Sequence, residues 1–228
     1  MKTLFPSVHK NPVKITMFDS LNFWKIFSIL VVCFFASSIY CNPSRAHSEG
    51  PPLACVGAGE ENNNRNVRFY PPGNATCGHV GCHNEYSMAT GKGKFMLFVL
   101  DKCEPGEIVD ILVSFKMTDT DYHGFQITAQ DMYFNRSVGT FLNVGNDADT
   151  QIQAAGRYAA HTKKGTTQRY WHVKWQAPPP DFWVANPVRF SAMGLEANND
   201  GTSKGDYVYG ATRYIIIEPK NGKEGYLP

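Results

Sequence analysis

Cys77 and Cys82 stand in the segment GNATCGHVGCHNEYS (73–87) with four residues between them, and His83 follows the second cysteine directly. A short cysteine loop closed by Cys-His is the arrangement that attaches a c-type heme, whose usual form is C-x-x-C-H. The chemistry explains the spacing. Each thiol adds to one vinyl group, so both must sit on one loop at the porphyrin edge, and the next residue is carried beneath the iron, where an imidazole ligates it. Here the loop holds two extra residues, and Gly78 and Gly81 within it let them bulge outward without displacing His83. Two other chemistries fit the same residue types. Cys77, Cys82, His83 and one further cysteine complete a Cys3His zinc set, although adjacent Cys82 and His83 are awkward as two tetrahedral ligands. A disulfide framework is the third.

The compartment decides what the thiols can do. Lys2, Lys10, Lys14 and Lys25 precede the uncharged run IFSILVVCFFASSIY (26–40). That run has the length of a signal-peptide core and falls short of the roughly 20 apolar residues of a membrane span. Ala36-Ser37-Ser38 and Ser44-Arg45-Ala46 offer cleavage sites, and Ser38-Ile39-Tyr40 before Cys41 is a poor lipobox. The reading is a signal peptide over 1–46 and one exported domain over 47–228; an uncleaved N-terminal anchor is the rival. Segment 1–46 contains five basic residues (Lys2, Lys10, Lys14, Lys25, Arg45) and one acid (Asp19), so 22 basic against 20 acidic residues become 17 against 19. A net charge near −2 calls for neither nucleic acid nor an anionic membrane as partner. Four cysteines remain in the domain: Cys55, Cys77, Cys82 and Cys103.

The elements that must position these residues read as β throughout. KFMLFVL (94–100), EIVDILVSFK (107–116), HGFQITAQD (123–131), VGTFLNV (138–144), QRYWHVKWQ (168–176), PVRFSAMGLE (187–196) and YVYGATRYIIIE (207–218) are rich in β-branched and aromatic residues. Val109, Ile111, Val113 and Phe115 alternate cleanly, as do Trp171, Val173 and Trp175, which marks half-buried strands and sets His172 on the opposite face. Glu104-Pro105-Gly106, Ala177-Pro178-Pro179-Pro180 and Asn198-Asn199-Asp200-Gly201 punctuate the runs. DADTQIQAAGRYAA (147–160) reads as a loop or short helix. Seven such strands predict an all-β sandwich. No nucleophile elbow, H-E-x-x-H or phosphate loop frames the polar residues, so the expectation is a protein without catalytic machinery of its own.

The order PGE, HGFQITAQD, VGTF, a Trp-bearing strand and VRFSAMGLE resembles the reelin-like (reeler) domain, an immunoglobulin-like β-sandwich, over roughly Phe69–Glu218. With NATCGHVGCHN just before the first strands, the chain is similar to the small monoheme cytochromes of anaerobic ammonium-oxidising bacteria, including the heterodimeric Nax cytochromes. The resemblance implies one covalent heme c on Cys77 and Cys82, His/Cys axial ligation, and binding of nitric oxide or carbon monoxide. It also implies a heterodimer with a homologous cytochrome subunit, a redox partner protein, and a periplasmic or anammoxosome-lumen location. His83 is then one axial ligand. Of the two cysteines left over, Cys103 closes the KFMLFVL strand before the Pro105-Gly106 turn and is the better distal candidate; Cys55, His123 and Met96 come next.

Electron transfer and gas binding both remain open. The alternative is a secreted, disulfide-bonded reelin-like recognition domain without heme, with Asn74 and Asn135 as glycosylation sites and Cys55–Cys103 as a bridge. His79, in the cysteine loop, reads as solvated. APPPDFWVANP (177–187) reads as a stiff loop or a partner surface.

Overall fold

Alternating apolar residues build two sheets that face one another. The structure, a computed structural model, describes residues 48–53, 55–56, 59–60, 68–69, 76–78, 82–145 and 148–218. These belong to one compact unit, Pro43–Pro228; the other unit, Met1–Asn42, lies outside them, and with it the expected signal segment. The strands are β1 (Gly59–Glu60), β2 (Arg68–Phe69), β3 (Lys94–Phe98), β4 (Lys102–Cys103), β5 (Ile108–Lys116), β6 (Tyr122–Asp131), β7 (Thr140–Leu142), β8 (Thr150–Gln153), β9 (Tyr158–His161), β10 (Tyr170–Gln176), β11 (Val188–Ala197) and β12 (Tyr207–Ile217). One sheet has the order β3-β5-β10-β7, the other β4-β12-β11-β6-β9-β8, and β1 pairs with β2.

Val109, Ile111, Val113, Phe115, Trp171, Val173 and Trp175 of the four-stranded sheet are buried against Phe125, Ile127, Phe190, Ala192 and Ile215 of the six-stranded one. Phe125 packs on Trp171 with ring centroids 4.7 Å apart, and Trp175 meets Phe190 edge-on at 5.0 Å. Each indole removes roughly 200 Å² from water, worth about 5 kcal/mol at ~25 cal/mol/Å². Their N–H groups stay satisfied: Trp171 Nε1 donates to the Gly165 carbonyl at 3.0 Å and Trp175 Nε1 to Val138 at 3.1 Å. His172 is exposed, as its place in the alternation requires.

All seven sequence-predicted strands are present. The segment expected as a loop or short helix is instead the hairpin β8–β9, which pairs with β6 through Gln126–Thr128. Its turn places Ala154 and Ala155 in the left-handed region (φ 49° and 53°) before Gly156 (φ 89°). Helix-favouring Ala and Gln residues hid the hairpin, because pairing with a neighbouring strand outweighs intrinsic propensity.

The six-stranded sheet also uses its outer face. Val56, Tyr158, Met193 and Val208 form a second apolar cluster there, with Cys77, Ala154 and Leu195 packed against it. That face carries the candidate site.

Candidate functional site

The cysteine loop is held to the sheet from both sides. Upstream, the buried amide side chain of Gln126 on β6 accepts from Cys55 N–H at 2.8 Å and donates to the Pro52 carbonyl at 3.0 Å. Gln151 and Gln153 of β8 donate to the carbonyls of Glu49 and Pro51. Three glutamines thus satisfy a strand-free segment that lies on the sheet, and Val56 forms an antiparallel bridge with Thr76. Downstream, the chain zips onto the start of β12. His83 meets Asp206, Glu85 accepts from Gly205 N–H at 2.6 Å, Tyr86 stacks on Tyr207 at 4.6 Å, and Ala89 N–H donates to the Val208 carbonyl. Between these anchors His83 N–H donates to the Cys77 carbonyl at 2.9 Å and closes the loop.

The His83 ring is the best-defined part of the site. Its Nδ1 lies 2.6 Å from Asp206 Oδ2, and both side chains are buried. Asp206 is itself oriented by Asn198 N–H, which donates to Oδ1 at 2.9 Å. A carboxylate on Nδ1 fixes the ring's orientation and leaves Nε2 to act on whatever the site holds; metal-ligating histidines are oriented this way.

Cys55, Cys77, Cys82, His83, His123 and His161 line one cavity of about 260 Å³ on this face. That volume is close to the lower bound of ~300 Å³ typical of small-ligand pockets. Burial and the neighbouring Cys82 push the Cys55 thiol up to about 11. Burial, with Cys55 and Cys82 close by, raises Cys77 further. The Cys77 thiol lies 3.8 Å from the Cys55 carbonyl oxygen. Three thiols therefore gather here, and all four cysteines of the domain are free.

His123 contributes from the inner side. Its ring packs on Phe115 at 5.1 Å, and neither nitrogen makes a well-formed hydrogen bond, although the Gln168 backbone favours the charged ring. Burial lowers its pKa, the Arg169 charge lowers it further, and Glu196 opposes both, so the ring is neutral.

The expected distal ligand is not at this cavity. Cys103 lies on β4, whose parallel partner is the far end of β12, Cys103 opposite Ile217. The site adjoins Tyr207 at the other end of that strand, and ten steps of about 3.3 Å make the separation roughly 30 Å. Cys103 is buried in the sandwich core, and burial followed by Glu107 pushes its thiol up to about 12. A residue at a strand end is firmly held, but only topology decides which end of the sandwich it occupies. Met96, on β3, does not line the cavity either; Cys55 and His123 do.

Among the described residues, no three or more His, Cys, Asp or Glu side chains are placed to hold a metal ion together, so the Cys3His zinc set is not assembled. His79 and Asn74 lie outside the described residues. The loop 177–187 leaves Phe182 and Trp183 half exposed around the guanidinium of Arg136, 5.2 and 5.4 Å from the two rings. Arg136 also donates to the Trp183 carbonyl at 2.6 Å and pairs with buried Asp131.

Sequence reasoning missed Asp206, which stands 123 residues from His83 and in sequence is one acid in a polar loop. It also missed His161. Its ring lies over Gly124, where a Cβ would come within 2.7 Å of it.

No family model matches the chain, and no curated protein matches it. Among solved structures it is similar to the human F-spondin reeler domain, at 18% identity and TM-score 0.43, covering 58% of this chain and 94% of that one. It is also similar to BslA, a bacterial hydrophobin, at 9% identity and TM-score 0.31, covering 56% of this chain and 96% of that one. A reeler domain is thus among the structural neighbours of this all-β, two-sheet chain.

Proposed function

We propose that this chain is an exported monoheme c-type cytochrome on a reelin-like sandwich, with heme c attached through Cys77 and Cys82 and ligated by His83. The observation that carries the reading is the buried His83–Asp206 contact of 2.6 Å at a cavity that both thiols also line. The donor set fits the group: two thiols on one backbone-closed loop, and one imidazole whose Nδ1 is already engaged. When bound, heme supplies a reversible one-electron iron centre and an acceptor for nitric oxide or carbon monoxide.

The protein's own residues do the rest. Asp206 engages Nδ1 of His83 at 2.6 Å, which fixes the ring's orientation and leaves Nε2 for a bound group. Gln126 fixes the backbone at Cys55, whose thiol lines this cavity and would be the one available to a bound heme in place of Cys103. The apolar cluster of Val56, Tyr158, Met193 and Val208 beside the thiols keeps water from one side of the site. Electron transfer to a redox partner protein and gas binding are both compatible with this arrangement. The half-exposed Phe182 and Trp183 offer a face for a homologous cytochrome subunit, and the export reading together with the cytochrome resemblance implies a periplasmic or anammoxosome-lumen location. The alternative is a secreted, disulfide-bonded reelin-like recognition domain without heme; the bridge expected for it joins Cys55 at the cavity with Cys103 at the far end of β12.

The test is an alkaline pyridine hemochrome spectrum of purified protein. The reading expects about one heme per chain with thioether-type bands, lost in Cys77→Ser/Cys82→Ser. A colourless protein overturns it.

A further inference from the structure

The bridge between Val56 and Thr76 sets a register for the cysteines beside it. These two residues pair antiparallel, so one step back along the first segment and one step on along the second place Cys55 directly opposite Cys77. Residues opposed in this way have Cα atoms about 4.5–5.5 Å apart, inside the ~4.4–6.8 Å over which a disulfide closes. Both backbones are pinned. Cys55 N–H donates to the buried amide of Gln126 at 2.8 Å, and the Cys77 carbonyl accepts from His83 N–H at 2.9 Å. The Cys77 thiol already turns towards its neighbour, 3.8 Å from the Cys55 carbonyl oxygen. Burial is the main cause that raises the Cys77 thiol and Cys55 is the next, a second sign that the two are close. Cys55 is buried and Cys77 half-buried, and both line one cavity.

We propose that Cys55 and Cys77 are a redox pair that closes reversibly into a cross-strand disulfide at the wall of the cavity. The inference is independent of the heme reading above. The oxidant is a small disulfide of the glutathione type. One protein thiolate attacks a sulfur of that disulfide and releases one small thiol; the second protein thiolate then displaces the other. Two protein thiols and one small disulfide become one protein disulfide and two small thiols, and the two protons go to the sulfurs that leave. The bond ties the segment before Val56 to the cysteine loop. It takes two thiols out of the cavity and leaves that of Cys82 there. It also excludes any other covalent bond at Cys77, so oxidation of the pair and attachment of a group at Cys77 compete.

The experiment uses the full chain produced without heme, equilibrated with oxidised glutathione and alkylated with iodoacetamide in denaturant. Fragmentation of the digested peptides should find Cys55 linked to Cys77, with Cys82 and Cys103 alkylated, and dithiothreitol should release the link. The pair is 22 residues apart in sequence, and opening a loop of that size should lower the melting temperature by roughly 6–12 °C. Cys103→Val, which leaves the pair intact, should show the same link and the same shift on reduction; Cys55→Ala should show neither. Free thiols throughout, a glutathione adduct without a bridge, or a bridge joining any other two cysteines overturns the proposal. A pyridine hemochrome assay on the native protein separates the two readings: no heme, with Cys55 linked to Cys77, supports this inference and overturns only the cytochrome.

Discussion

The two ends of β12 make opposite uses of cysteine. At its Ile217 end Cys103 is one more side chain of the buried core, opposite Ile217, and burial followed by Glu107 holds its thiol neutral. At its Tyr207 end three cysteines gather on the outer face of the same sheet, beside two imidazoles whose Nδ1 atoms are already engaged by the protein. Burial raises the thiols at both ends, so burial alone does not mark a site. The difference lies in company. Cys103 has apolar neighbours, whereas Cys77 and Cys82 share a cavity with a histidine oriented by a buried carboxylate.

Substitutions should separate the two ends. The largest effect on stability belongs to the core. Trp175→Ala should cost about 3–5 kcal/mol in urea unfolding, and the fraction that folds should keep its heme. A smaller loss of stability with loss of heme would tie the site to the core.

Asp206→Asn comes next. It keeps the size of the side chain but removes the carboxylate from Nδ1 of His83, and losing such a partner typically weakens metal affinity about 10- to 100-fold. Heme should remain covalently attached, while imidazole added in solution displaces the protein ligand at lower concentration than in the wild type. Unchanged displacement would mean that Asp206 is only a loop anchor for Asn198.

How much of this was legible in sequence follows from where the signals are local. Strict alternation along Val109–Phe115 and Trp171–Trp175 announced strands because one face of each is buried, and the cysteine loop drew the eye because the heme chemistry proposed for it needs contiguous residues. The β8–β9 hairpin was not, since Ala154 and Ala155 give no turn signal although both take positive φ. Asp206 and His161 were not, because each reaches the site through a non-local contact. Cys103 misled for the same reason. It was read as closing the 94–100 strand, whereas β3 ends at Phe98 and Cys103 stands on β4 in the other sheet, whose parallel pairing with the far end of β12 has no local signature.

A pH scan sharpens the account of Cys103. Its folded pKa of about 12 stands above the ordinary 9.0, so the protonated thiol favours the folded state. That contribution is complete below pH 9 and is lost as pH rises from about 9 towards 12. Cys103→Val should flatten this part of the alkaline unfolding curve; an identical curve would place the thiol in water.

The smallest effect is spectroscopic. Cys103→Val should leave the ferric spectrum unchanged, at a cost in stability within about 1.5 kcal/mol for an apolar swap of similar size. Cys55→Ala should shift the spectrum. The reverse pattern would restore Cys103 as the distal ligand and contradict its place in the core.

The central claim is most directly tested by intact-protein and peptide mass spectrometry after acid–acetone extraction. The account expects the peptide containing Cys77, Cys82 and His83 to carry the mass of one heme through two thioether bonds. The same peptide recovered without heme, with free thiols or a disulfide at Cys77 and Cys82, would contradict it.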